Sequence, residues 1–207
     1  MSSYAAQVRV KVCGLTRPED ALVAQAVGVD AVGLMFVPRS KRVVTLEQGL
    51  EVAEALGPFV TLVGVFENAP LSDVQAAVSR LRLDAVQLHG SYPESYLAEL
   101  RRTVKVIRAF SFAPDLRPQS VADLQHDALM LDGQAPGSGV TFDWRSAEAW
   151  AGWPGLILAG GLNPDNVGAA VKALRPFAVD VSTGVESAPG IKSAALMRAF
   201  VAAARSV

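Results

Sequence analysis

Short apolar runs recur along the chain, and amphipathic stretches separate them. "VRVKV" (Val8 to Val12) reads as a strand, and "RPEDALVAQAVG" after it reads as a helix. Pro18 suits the first turn of that helix, Glu19 and Asp20 suit its positive start, and Gly28 suits its stop. "DAVGLMF" (Asp30 to Phe36) is the next strand, followed by "TLEQGLEVAEALG" as a helix capped by Thr45 and ended by Gly57. The alternation continues with "FVTLVGVF" (Phe59 to Phe66), helix "PLSDVQAAVSRL", "DAVQLH" (Asp84 to His89), helix "PESYLAELRR" and "VKVIRAF" (Val104 to Phe110). A weak helical stretch near Gln119 to Gln125 precedes "DALMLD" (Asp127 to Asp132), and a short one at Ser146 to Trp150 precedes "GLILAGG" (Gly155 to Gly161). "NPDNVGAAVKAL" is a helix capped by Asn163 with Pro164 in its first turn. "AVDVST" (Ala178 to Thr183) and a helix over Lys192 to Arg205 complete the pattern.

Strands alternating with helices predict a parallel sheet, and strands apolar on both faces predict one covered on both sides. Eight such units predict a single-domain (β/α)8 TIM barrel over residues 1–207, at the small end of that fold's size range. An open, doubly wound sheet is the alternative. "DAV" at Asp30 and Asp84, and nearly again at Asp127, marks recurring strand starts rather than a solenoid repeat.

Composition narrows the function. Apolar residues make up 51% of the chain and charged residues 19%, which supports a packed soluble domain and excludes disorder. The net charge of -1 gives no support for nucleic-acid or membrane partners, so an anionic ligand must be gripped by local groups. The single cysteine cannot form an internal disulfide. The N-terminus lacks the apolar core of a signal peptide, and no apolar run reaches the ~18 residues of a membrane span. Together these point to the cytoplasm.

In a barrel of this kind chemistry gathers at the C-terminal ends of the strands. The polar residues expected there are Cys13, the 39–42 segment, Glu67, Asn68, Gln87, His89, Arg108, Asp132, Gly160, Gly161, Asp180, Ser182 and Thr183. "LILAGGLNPDNV" and "VDVSTGVE" each run from a strand into a tight turn. Their glycines and free amides suit a phosphate, and the loops after the last two strands are the usual phosphate site of the fold. Read blandly, the glycines only make turns. Asp132, after an apolar strand, suits a general acid that keeps its proton, or a cap on the next turn. Cys13 is a small core residue or a reactive thiol. Lys11, two residues back on the same strand face, is placed to stabilise its thiolate. Arg42 suits a fork-like grip on a carboxylate, or belongs to a solvated basic loop with Arg39 and Lys41. His89 is as much a structural residue as a pocket one. No metal-ligand spacing occurs, so no metal is expected.

Taken in order, "KVCGLTRPEDA", "GLMFVPRSKR", "VGVFEN", "VQLHG", "LMLDG", "GSGVTFDW", "LAGGLNPDNV" and "VDVSTGVESAPGIK" resemble the phosphoribosylanthranilate isomerase family of tryptophan biosynthesis, from Val10 to about Phe200. The resemblance implies conversion of N-(5'-phosphoribosyl)anthranilate to 1-(2-carboxyphenylamino)-1-deoxyribulose 5-phosphate, an Amadori rearrangement without metal or cofactor. It implies Cys13 as general base and Asp132 as general acid. It implies Arg42 on the anthranilate carboxylate, and Asp180 near the substrate amine. It places the phosphate at Gly160, Gly161, Ser182, Thr183 and Gly184. Thr183 stands where serine is common in the family and keeps the hydroxyl. The residues leave the oligomeric state open between monomer and homodimer. An indole-3-glycerol-phosphate synthase-like barrel has a counterpart for its lysine in Lys11 but lacks the rest of its pattern here. A metal-dependent aldose-ketose epimerase is disfavoured by two dispersed histidines, and a non-catalytic phosphate binder would leave Cys13 and Asp132 dispensable.

Overall fold

The computed structural model describes residues 7–133 and 144–207. All eight apolar runs form strands: β1 (Arg9–Cys13), β2 (Ala31–Met35), β3 (Thr61–Glu67), β4 (Ala85–His89), β5 (Lys105–Ser111), β6 (Ala128–Asp132), β7 (Leu156–Leu158) and β8 (Ala178–Val181). They pair in parallel in chain order, and β1 also pairs with β8, Lys11 lying opposite Asp180. That last pairing closes the sheet into a barrel and removes the open doubly wound alternative.

Strand side chains alternate between two faces, and the two faces build two cores. Val63, Ala85, Ile107, Ala109, Met130, Ile157, Ala159 and Ala178 form a buried cluster in the lumen. Many of these are alanines, because eight strands leave an interior only wide enough for side chains to fill. The intervening residues, such as Val12, Leu34, Leu88, Leu129 and Val179, join the larger core under the helices. The same alternation sends Lys11, Cys13, Gln87, His89, Asp132 and Asp180 into the lumen near its C-terminal mouth. It sends Arg108, between Ile107 and Ala109, outward. The expectation that Arg108 lines the pocket is therefore corrected: it lies over the Phe110 ring at 5.3 Å.

The helices are α1 (Pro18–Ala26), α2 (Leu46–Glu54), α3 (Leu71–Leu81), α4 (Glu94–Leu100), α5 (Val167–Leu174) and α6 (Ala194–Arg205). Thr45 caps α2 in a reciprocal box with Gln48, as its sequence predicts. Helix α5 starts later than expected, with Asn166 as its cap. Asn163 is held in a local turn instead, its Oδ1 accepting from the amides of Asp165 and Asn166. The weak stretch near Gln119 to Gln125 yields only a 3-10 turn over Pro118–Ser120, and the next yields one over Trp144–Trp150. Lys192 does not open the last helix; Ser193 caps it, and Lys192 sits in a small hairpin formed by β9 (Glu186–Ala188) and β10 (Ile191–Lys192). Among the described residues no helix is long and apolar enough to cross a membrane.

The recurring aspartates at the strand starts have a shared task. Asp30, Asp84 and Asp127 precede β2, β4 and β6, and each accepts the backbone N–H of the strand before it: Val10 at 2.7 Å, Leu62 at 2.8 Å and Val106 at 2.9 Å. They pin the N-terminal rim of the barrel, opposite the candidate site.

Candidate active site

At the C-terminal mouth a cavity of about 180 Å³ is lined by Asp132, Gly160, Gly161, Asp180, Ser182, Thr183 and Gly184, together with Ala159, Leu162, Asn163 and Val181. The structure thus brings the candidate acid, the Asp180 carboxylate and both glycine turns to one space. Glycine is required in those turns. Gly160 and Gly161 have φ of 89° and 66°. A Cβ on Gly160 would meet the Gly133 backbone and come within 3.1 Å of Asp132 Oδ1. A Cβ on Gly184 would strike the Leu162 carbonyl and approach Asn163 Cα to 3.0 Å, so its absence lets the two turns pack together. A larger cavity, lined by Arg9, Asp30, Trp153 and Phe177 among others, lies at the opposite end and gathers no comparable acid and base.

Burial pushes Asp132 up, the nearby Asp180 carboxylate adds to it, and the Gly133 N–H and Lys11 pull it back; the outcome is a pKa of about 6. A carboxyl so placed keeps its proton far more readily than a solvated one.

Cys13 and Arg42 stand beside this cavity rather than in its lining. Cys13 is buried, and its carbonyl accepts from Ser182 Oγ at 3.0 Å. Gly33 on β2 makes room for the thiol: a Cβ there would fall 2.7 Å from Cys13 Sγ and 3.2 Å from Lys11 Nζ. The Lys11 ammonium is therefore next to the thiol, as expected. It does not win. Burial pushes the thiol up, Lys11 and Lys192 pull it down, Asp180 pushes it up again, and the thiol ends above its ordinary pKa. Lys11 is already matched by Asp180, which accepts from Nζ at 2.8 Å. Burial works against the Lys11 charge, but Asp180 and Cys13 outweigh it and keep the ammonium.

Arg42 is drawn inward, unlike its neighbours. Its Nε and Nη2 donate to the two Glu186 oxygens at 2.6 and 2.7 Å, and Nη2 also donates to Thr183 Oγ1 at 3.0 Å. Its stem presses on Gly14, where a Cβ would collide with Arg42 Cδ. Arg39 instead forms an exposed fork with Glu67. On β4, the Gln87 side-chain amide and His89 Nε2 are hydrogen-bonded at 2.7 Å. Burial, with Lys11 near, lowers the His89 pKa to about 4, so the ring is neutral at pH 7. Residues 134–143, which hold all of the "GSGVTFDW" motif but its last residue, lie outside the described residues.

A family model described as N-(5'phosphoribosyl)anthranilate (PRA) isomerase matches residues 10–203. The chain belongs to this family. It is 45% identical over 202 residues to an N-(5'-phosphoribosyl)anthranilate isomerase of Geobacter sulfurreducens, covering 96% of this chain and 98% of that one. Among solved structures, the phosphoribosyl anthranilate isomerase of Thermus thermophilus superposes with a TM-score of 0.88 at 43% identity, covering 95% of this chain and 98% of that chain. A further isomerase was solved in complex with reduced 1-(o-carboxyphenylamino)-1-deoxyribulose 5-phosphate; it has a TM-score of 0.84 at 35% identity and covers 97% and 100%.

Sequence reading missed Glu186 and Lys192. Both side chains are buried, and Lys192 Nζ donates to Glu186 Oε1 at 2.8 Å. Glu186 meets Arg42 across 144 residues of chain, a pairing that no local spacing announces.

Proposed function

We propose that this chain isomerises N-(5'-phosphoribosyl)anthranilate to 1-(2-carboxyphenylamino)-1-deoxyribulose 5-phosphate in tryptophan biosynthesis, acting in the cytoplasm as a monomer or homodimer. The observation that carries the reading is one cavity that holds a carboxyl with a pKa of about 6 between two glycine-containing turns, inside a chain matched by the isomerase family along nearly its whole length. The turns at Gly160–Gly161 and Ser182–Gly184 hold the phosphate through backbone amides, which suits a protein with no global positive field. Asp132 gives its proton to the ribose ring oxygen. The ring C–O bond breaks, and the anthranilate nitrogen supplies the electron pair that makes the iminium. Cys13, as thiolate, takes the proton from C2', and those electrons neutralise the iminium to give the enolamine. Tautomerisation then yields the ketone. Asp180, in ion pair with Lys11, faces the substrate nitrogen and favours its positive charge. Cys13 approaches from β1 and Asp132 from β6, so acid and base work from separate walls of the barrel.

The iminium also answers the high thiol pKa. The positive charge formed on ring opening acidifies C2' and favours a nearby thiolate at the step that needs it. The test is turnover of N-(5'-phosphoribosyl)anthranilate, followed by the loss of its fluorescence. Cys13→Ser should lower kcat by about 10²–10⁴-fold while binding of the reduced product analogue is kept. Near-native turnover in that variant would remove the base assignment. Tight binding with no turnover by the native chain would make it a phosphate-ligand binder instead.

A further inference from the structure

The network around Arg42 has a buried carboxylate at its centre that no step above uses. Glu186 Oε1 and Oε2 take the Nε and Nη2 edge of the guanidinium. Oε1 also accepts from Lys192 Nζ at 2.8 Å and from the Gly190 N–H at 3.3 Å. Lys192, whose side chain is fully buried, reaches back to Ser182, donating to its carbonyl at 3.2 Å and its Oγ at 3.4 Å. A guanidinium has five N–H donors. Glu186 and Thr183 use those on Nε and Nη2, and the two on Nη1 have no protein acceptor among the described residues. With its stem against Gly14 and its edge in a fork, the guanidinium has one free end. Glu186 alone would neutralise Arg42; Lys192 leaves the trio with one net positive charge.

We propose that Glu186 is a positioning residue that holds the side-on edge of Arg42 and presents its Nη1 end to the ring carboxylate of the substrate, while Lys192 couples this fork to the Ser182 turn. This rests on Arg42 being the carboxylate-binding residue. A fork fixed before binding costs little ordering when the ligand arrives. It also accounts for a buried carboxylate near a site for two anions, where it would otherwise repel both: its charge is consumed by Arg42 and Lys192.

Two ligands separate the roles: reduced 1-(o-carboxyphenylamino)-1-deoxyribulose 5-phosphate and its analogue without the ring carboxylate. Dissociation constants are measured by calorimetric titration for the native chain and for Arg42→Met, Glu186→Gln, Glu186→Asp and Lys192→Met. Glu186→Gln should weaken the carboxylated ligand by about 10–100-fold and the analogue by no more than about twofold. Glu186→Asp, which keeps the charge on a shorter arm, should show a smaller loss with the same selectivity, and it serves if the glutamine variant does not fold. Lys192→Met should weaken both ligands. Equal losses for the two ligands in both Glu186 variants, or no loss in either, would overturn the positioning role. If Arg42→Met itself weakens both ligands alike, the reading of Arg42 fails, and that outcome is distinct from a selective Arg42→Met paired with an unselective Glu186→Gln.

Discussion

Asp127 and Asp132 stand at the two ends of β6, and the barrel puts them in opposite states. Burial pushes Asp127 up, but Arg101, the Val106 N–H and Lys105 outweigh it and hold it below the ordinary carboxylate range. At the other end burial and Asp180 prevail over the Gly133 N–H and Lys11, and Asp132 rises to about 6. The same side chain is a fastening where cations and amides surround it and a proton store where another carboxylate does. The N-terminal rim is electrostatically satisfied; the C-terminal rim is held in an unfavourable state that only ligand or chemistry relieves.

The sharpest way to break this contrast is Asp132→Asn. It should cut kcat by about 10²–10⁴-fold and yet stabilise the empty protein at pH 7.5 by about 2–3 kcal/mol. The sign follows from the raised pKa: native Asp132 costs nothing below its unfolded value near 3.8, and the cost grows as pH rises to about 6. Urea unfolding at pH 7.5 and at pH 4 checks it, because the gain should shrink to under about 1 kcal/mol at pH 4. If stability falls at both, the carboxyl is an ordinary structural one.

The second test is the pH dependence of kcat/KM. The thiol lies above its ordinary pKa and Asp132 near 6, so the form proposed to react, thiolate with protonated carboxyl, is a minor species of constant fraction between the two values. The profile should rise to about pH 6, stay level, and fall only where the thiol titrates. In Asp132→Asn the break near pH 6 should be lost, and residual activity should keep rising with pH until the thiol titrates.

The smallest effect belongs to the opposite end. Asp127→Ala should cost about 1–2 kcal/mol of stability, leaving kcat/KM within about twofold. Its lowered pKa gives the opposite sign to Asp132: the contribution is complete above the unfolded value and is lost as pH falls through the folded one. Activity loss beyond the fall in folded fraction would mean the two rims are coupled.

What the sequence reveals divides along similar lines. The eight strands and their order were legible because each is a short apolar run between turn residues, and burial on both faces needs no long-range information. Thr45 was legible as a cap because its partner Gln48 lies three residues on. Asn163 misled because an Asn–Pro pair makes a local turn as readily as a helix start. Arg108 misled because position along a strand says nothing of face until the lumen residues are known. The roles proposed for Cys13, Asp132 and Arg42 come from the resemblance of the ordered motifs to the family, whereas the Arg42–Glu186–Lys192 network spans strands and loops that only folding brings together. Lys11 beside Cys13 was predicted correctly as a neighbour, but its commitment to Asp180, 169 residues away, was not visible.

The seam where β1 meets β8 has a consequence for biogenesis. Cys13 is made early, yet the Lys11–Asp180 ion pair and the Ser182 bond to the Cys13 carbonyl both wait for β8, 169 residues later. At synthesis rates of roughly 5–20 residues per second, the nascent thiol spends on the order of ten seconds or more without its partners. Cys13 is thus synthesised before Arg42, Asp132 and both glycine turns, and its surroundings are complete only once β8 has been made. Oxidants or electrophiles present during translation meet the thiol before those partners exist.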